Sequence, residues 1–230
     1  MSERLNIGSP PIEVSVRRSA RARRLSLRVS RLDGRVTLTL PRRVPLREGA
    51  RFIQEREPWV RAQLAQLAPR AVVAFGQSLP LRGRLVTLTP GAVRVPRLEE
   101  GRLIAPKDAE RLPVRLRSWL KEQARQDLTT ASDRYAAALG EGYARITLRD
   151  TRSRWGSCSS ARALMYSWRL IMAPPEVLDY VAAHEVAHLV EMNHSEAFWR
   201  IVGGLCPDWR AHRDWLHRNG PDLHRVDFGD

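Results

Sequence analysis

Apolar residues alternate with polar ones through the first forty positions. Val14 and Val16, then Leu25, Leu27 and Val29, then Val36, Leu38 and Leu40 recur every second residue, the period of strands that bury one face. Leu32-Asp33-Gly34 supplies a turn between two of them and Pro41 closes the last, so residues 12–40 are predicted to form a small antiparallel sheet with arginines interleaved on its wet side. The period then lengthens. Ala50, Phe52, Ile53, Trp59, Val60, Leu64 and Leu67 suit an amphipathic helix over 46–68, with Pro58 as a break or restart inside it. Residues 71–104 return to short β-like runs punctuated by proline and glycine.

From Lys107 the pattern is helical as far as Leu139, where Gly140 and Gly142 stop it. Residues 144–149 and 163–171 are predicted strands, with the loop 151–159 between them. Pro174-Pro175-Glu176 opens a helix that carries Val177, Tyr180, Val181, Val186 and Leu189, and two shorter helical patches come after it at Ser195–Val202 and Pro207–His217. The whole reads as an α+β protein. A β-rich basic N-terminal region with one helix occupies 1–105, and a helical domain with a short sheet occupies 106–230.

Composition narrows the classes. The chain has 230 residues, 43% of them hydrophobic, enough for one sizeable core or two small ones. No uncharged run approaches the ~20 residues that cross a bilayer, and the first residues lack the apolar centre of a signal peptide, which points to a cytoplasmic protein with no membrane partner. Two cysteines, Cys158 and Cys206, are too few for a disulfide scaffold and read as reduced thiols. The formal net charge is +14, with a cluster at Arg17, Arg18, Arg21, Arg23, Arg24, Arg28, Arg31 and Arg35. Such a field attracts polyanions, nucleic acid among them. The almost exclusive use of arginine, with lysine only at Lys107 and Lys121, is equally a mark of genomic composition.

The candidate chemistry lies in His184-Glu185-Val186-Ala187-His188. Residues four apart share a helix face, so both imidazoles can reach one metal ion, and zinc is the natural choice for nitrogen ligands. Glu185 falls beside that ion, where it can act as general base toward the water the metal activates. A catalytic zinc needs a third protein ligand. His194, six residues after His188, is the leading candidate. A straight helix would carry it away from the other two, so a turn is required after His188, with Asn193 suited to a left-handed helix end and Ser195 to capping the next helix. His212, His217 and Glu191 are fallback ligands. Together with His224, the late histidines read as surface residues of a polar tail.

These stretches carry a family resemblance. Thr151-Arg152-Ser153-Arg154-Trp155-Gly156-Ser157-Cys158-Ser159-Ser160, then Trp168-Arg169-Leu170-Ile171-Met172-Ala173-Pro174-Pro175, then the histidine motif with Asn193-His194-Ser195 and Phe198-Trp199, closely resemble the YgjP-like family. The resemblance spans essentially the whole chain. It implies a zincin-like domain, kinship with SprT- and WLM-type proteases, His184, His188 and His194 as ligands of one metal ion, zinc or another divalent transition metal, and Glu185 as acid/base. Some family members are described as metal-dependent UTP pyrophosphatases.

Three functions are therefore expected, the second and third not exclusive of the first at the metal site. The first is a zinc-dependent hydrolase of metallopeptidase type, with strand 163–171 as an edge that could hold a peptide by β-augmentation. The second is a nucleoside triphosphate pyrophosphatase, with Arg154 and Arg169 as candidate substrate-binding residues because arginine grips phosphate bidentately. The third is a protease recruited to DNA by its basic N-terminal region. Gly156 is expected to permit a tight turn near the site, Trp155 and Trp168 to line core or cleft, and Cys158 to be a packed thiol.

Overall fold

The computed structural model describes residues 3–67 and 71–229. The chain divides into two compact units, residues 1–69 and 70–230.

In the first unit, strands β1 (Glu3–Ile7), β2 (Ile12–Ser19), β3 (Ser26–Val29) and β4 (Val36–Pro41) form one sheet in the order β1-β2-β4-β3. The alternation placed the buried residues correctly: Val14, Val16, Val36, Leu38 and Leu40 all face the core. The pairing is not wholly antiparallel, however. β1–β2 and β3–β4 are antiparallel, but β2 and β4 run parallel, with Val14 opposite Val36 and Val16 opposite Leu38. The turn at 30–35 folds β4 back onto the inner side of β3, where Gly34 has φ 73°. A period of two fixes which face is buried but not which strand lies alongside.

Helices α1 (Leu46–Glu55) and α2 (Glu57–Ala65) cover the buried face through Ile53 and Val60. The break falls at Arg56, which leaves Pro58 in the first turn of α2, where its missing N–H costs nothing. Residue 68, to which the expected helix extended, lies outside the described residues. A Cβ added at Gly49 of α1 would stand 2.9 Å from Leu38 and Leu40, so the helix sits directly on the sheet.

The second unit begins with β5 (Ala71–Val72), β6 (Ser78–Leu81), β7 (Arg84–Gly91), β8 (Arg97–Glu99) and β9 (Arg102–Pro106). The last four form a sheet in the order β6-β7-β9-β8, with β7 and β9 parallel between two antiparallel pairs. This repeats the strand order of the first unit, although the sequence shows no repeat. These strands share a core with the long helix α3 (Leu112–Leu139): Leu79, Leu81, Val86, Leu88, Leu103 and Ala105 belong to one buried cluster with Leu116, Leu120 and Leu128 of that helix. The compact units thus part at 69/70, whereas the sequence pattern suggested 105/106, because periodicity does not say which helix will cover a given sheet.

After α3, which ends on Gly140 in the left-handed conformation, a small sheet is built from β10 (Arg145–Arg149), β11 (Gly156–Cys158) and β12 (Ala163–Ser167), ordered β10-β12-β11. The strand expected to run to residue 171 stops at Ser167, and Trp168–Met172 wind into a 3-10 turn whose residues are all buried. β12 is therefore the central strand of this sheet and β11 an edge. Helices α4 (Pro175–Ala187), α5 (Glu196–Leu205) and α6 (Trp209–Leu223) come next, and β13 (Val226–Asp227) pairs in parallel with β5. α6 runs six residues beyond the predicted patch, from His217 to Leu223. The architecture is α+β, as the pattern indicated. Among the described residues no helix is long and apolar enough to cross a membrane.

Candidate metal centre

α4 is apolar on nearly every side, with Val177, Val181, Ala182, Ala183, Val186 and Ala187 buried, because α3, α5, α6 and β11 all pack against it. His184 and His188 stand one turn apart near its end. The helix stops sooner than expected: His188 is its C-cap, and the N–H groups of Leu189 and Val190 bond to the carbonyls of Val186 and Ala187 in a tightened last turn. Asn193 does not supply a left-handed end; among the described non-glycine residues only Arg82, Glu100 and Arg162 have positive φ. The return is instead pinned by Glu191. Its carbonyl pairs with His188 Nδ1 at 3.0 Å and its carboxylate accepts from the Asn193 N–H at 3.2 Å. Ser195 then caps α5, accepting from the Phe198 N–H at 3.3 Å.

This turn brings His194 back. One nitrogen from each of His184, His188 and His194 lies within 4.8 Å of the others, and the Nε2 atoms of His184 and His194 are 3.2 Å apart. Two nitrogens bound tetrahedrally to zinc at ~2.0–2.1 Å would stand about 3.3 Å apart, so the donor set fits such an ion. The Glu191 carbonyl keeps hydrogen on Nδ1 of His188 and leaves Nε2 with its lone pair. Burial, with the neighbouring imidazoles, pushes His184 down to about 3 and His188 in the same direction, which keeps both neutral, as ligation requires. Phe198, fully buried, forms the platform of the site: its ring centroid is 4.4 Å from His188, 4.8 Å from His194 and 4.9 Å from His184. Sequence spacing did not single out Phe198 for a role; its signal was only its place three residues after the cap.

Glu185 is buried at 5% exposure beside His184 and His188. Burial raises its carboxyl to about 8, opposed by Arg154 and by a hydrogen bond to the backbone of Cys158 in β11. β11 crosses the helix so closely that a Cβ on Gly156 would lie 2.5 Å from Glu185 Oε1 and 2.6 Å from its Cγ. Gly156 thus serves close approach, as the first residue of a strand, and not the tight turn expected of it. Cys158 is half-buried, with its thiol pushed up by burial and by the Glu185 charge.

The two candidate arginines part company. Arg154 is exposed and near enough to Glu185 to influence it. Arg169 is 6% exposed and engaged: Nε and Nη2 pair with Asp150 at 2.8 and 3.0 Å, and Nη1 donates to the carbonyls of Leu223 and Val226, both at 3.0 Å. Its task is to tie the segment leading into β11 to the C-terminal end of the chain. His224, expected on the surface, is buried in the same cluster, 3.9 Å from Asp150 and with its ring 5.0 Å from that of Trp155. Trp168 is fully buried and Trp155 partly so. His212, His217 and Glu191 lie outside the group of potential ligand atoms.

The crystal structure of the metallopeptidase zymogen abylysin from Pyrococcus abyssi is similar to this chain at 21% identity and a TM-score of 0.37, over 43% of this chain and 97% of that one. No curated protein matches. The sequence model of the YgjP-like metallopeptidase domain matches residues 23–219, a span that contains both the histidine cluster and the β11 strand facing it. The chain is thus a member of the YgjP-like family, and its class is that of metal-dependent, metallopeptidase-like hydrolases.

Proposed function

We propose that the protein is a zinc-dependent peptidase in which His184, His188 and His194 hold the metal and Glu185 is the general base. The observation that carries this reading is the convergence of three imidazole nitrogens beside a buried carboxylate, under the edge of a strand. Zinc so held supplies an activated water and polarises the scissile carbonyl. The chain's own residues do the rest. Burial alone would keep Glu185 protonated near neutral pH, and the charge of a bound metal would favour its carboxylate form, which would take a proton and return it to the leaving amine. The Cys158 N–H and the bare Cα of Gly156 fix that carboxylate in place. Phe198 and the Glu191 carbonyl hold the imidazoles in orientation.

β11, not 163–171, is the strand suited to a peptide. Its bonds to β12 run through Trp155, Ser157 and Ser159, the residues opposite Ser167, Met165 and Ala163. The backbone groups of Gly156 and the carbonyl of Cys158 therefore point outward, open to an extended substrate. Arg154 is assigned to substrate binding at that edge. Nucleotide hydrolysis finds less support, since Arg169 is committed to Asp150 and three imidazoles suit magnesium poorly.

The test is zinc-dependent cleavage of an unfolded protein by the purified chain. Glu185→Gln should retain the metal and lose activity by a factor of about 10²–10⁴. Undiminished cleavage by that variant would overturn the assignment of the base, and release of pyrophosphate from UTP without peptide cleavage would overturn the substrate.

A further inference from the structure

The first unit has an open sheet face that the metal centre does not use. Residues 1–69 hold 15 arginines and no lysine against 6 acidic residues, a net +9 of the chain's +14. α1 and α2 cover one side of the sheet. On the other side the register aligns Arg28 of β3, Thr37 of β4, Ser15 of β2 and Arg4 of β1 in one row across all four strands. Ser26, Thr39 and Arg17 form the next row, and Arg35 and Glu13 flank the first. A shallow depression of about 670 Å³ runs over this face, lined by Arg4, Arg17, Arg35, Ser15 and Thr37, with Glu3 and Glu13 at its acidic side.

Glu13 pairs with Arg4, Glu3 with Arg18, and Asp33 with Arg35. Arg17, Arg28 and the arginines of the turn between β2 and β3, at 21, 23 and 24, are exposed and have no acidic partner among the described residues. Among the described residues that line the depression, Ser15 and Thr37 bear hydroxyls, none is aromatic, and the one apolar residue, Val16, is buried.

We propose that this face binds the phosphodiester backbone of nucleic acid, without reading its bases. Arginine forks and serine and threonine hydroxyls are the groups that contact phosphates. From Arg4 to Arg28 the row spans three strand spacings, about 14 Å, which suits a run of phosphates and not one small anion. The absence of aromatic platforms removes the stacking on which single-strand binders rely, so duplex is the favoured form. With Val16 buried, the described lining offers no exposed apolar side chain for the insertion that a membrane-surface protein uses.

The experiment is fluorescence anisotropy of the full chain with a duplex of about 30 base pairs, between about 50 and about 200 mM salt. Binding should weaken steeply over that range. In R17Q/R28Q, whose side chains are exposed and have no acidic partner among the described residues and whose melting temperature should not move, the log–log salt slope should fall by about 1.8 and affinity at low salt by about tenfold or more. A matched variant on the second unit, R94Q/R125Q, should bind as the unaltered protein does. Equal weakening in the two variants would make net charge the cause and overturn the site, as would an unchanged slope in R17Q/R28Q. Competition by phosphatidylserine vesicles at equal phosphate concentration would assign the face to membranes and overturn the proposal. None of these readouts depends on hydrolytic activity.

Discussion

Gly156→Ala tests how Glu185, the proposed base, is held. A methyl at this position would stand 2.5 Å from Glu185 Oε1, 2.6 Å from Cγ and 2.7 Å from Cδ, while ordinary van der Waals contact begins near 3.4 Å. The strand cannot retreat easily, because β11 is bonded to the central strand β12 through Ser157, and Glu185 sits on a helix packed on every side. The carboxylate must therefore move by about 1 Å, and a displacement of that size in a reacting group costs about a hundredfold in rate, equal to about 2.7 kcal/mol of barrier. Overpacking should lower stability by about 1–3 kcal/mol, a fall in Tm of some 2–4 °C per kcal/mol for a chain of this length. The assay is steady-state hydrolysis of an unfolded fluorescent protein, with bound zinc and Tm measured on the same sample. The expected result is a folded, metal-loaded protein whose kcat has dropped about a hundredfold. A kcat within threefold of the unaltered protein would refute the argument that Gly156 exists to admit Glu185, and loss of zinc would show that the strand supports the ligands instead.

Three further outcomes concern the ligands and the buried polar cluster. His194→Ala should lower zinc affinity by more than about a hundredfold, since loss of an outer-shell partner alone can cost that much; a metal-competition titration that shows less would remove His194 from the ligand set. Arg169→Met should destabilise the fold by about 3 kcal/mol, near the low end for a broken buried pair because Asp150 keeps a third of its exposure; a urea midpoint shift equivalent to less than about 1 kcal/mol would show that the Asp150 pair and the two carbonyl contacts are dispensable. His224 is held down to about 4 by burial first, then by Arg169 and Arg152, with Asp150 opposing and the Trp155 ring against it. Its folded pKa lies below its ordinary 6.5, so its contribution is complete above pH 6.5 and is lost as pH falls toward 4, by up to about 3 kcal/mol. Asp150, also lowered, loses its share only below that window. With chelator present throughout, His224→Gln should show a flatter decline between pH 6.5 and 4 than the unaltered chain; identical slopes would exclude His224 as the titrating group.

Much of this protein is local, and what is local was legible. Alternation marked Val14, Val16, Val36, Leu38 and Leu40 as buried because a strand's two faces are set by its own sequence. Pro58 and Gly140 marked helix boundaries because proline and glycine act through their own backbone angles. The four-residue spacing of His184 and His188 placed them on one face for the same reason. The features that lay outside the sequence depended on partners distant along the chain. The parallel pairing of β2 with β4, the capture of β6–β9 by the core of α3, and the short length of β12 are set by which surfaces meet. So are the fates of individual polar residues. Arg169 and Arg154 look alike in sequence, but only one lies beside Asp150 and the carbonyls of Leu223 and Val226. His224 lies in a charged tail by sequence and in a buried cluster by packing. His194 could be nominated from its spacing, but the turn that returns it is fixed by Glu191 and by the Phe198 platform, and the clearance that lets Glu185 stand beside it is set by a glycine on another strand. Periodicity and backbone propensity are properties of neighbouring residues and survive in the sequence; juxtaposition across the core is a property of the packed molecule and appears only when it is folded.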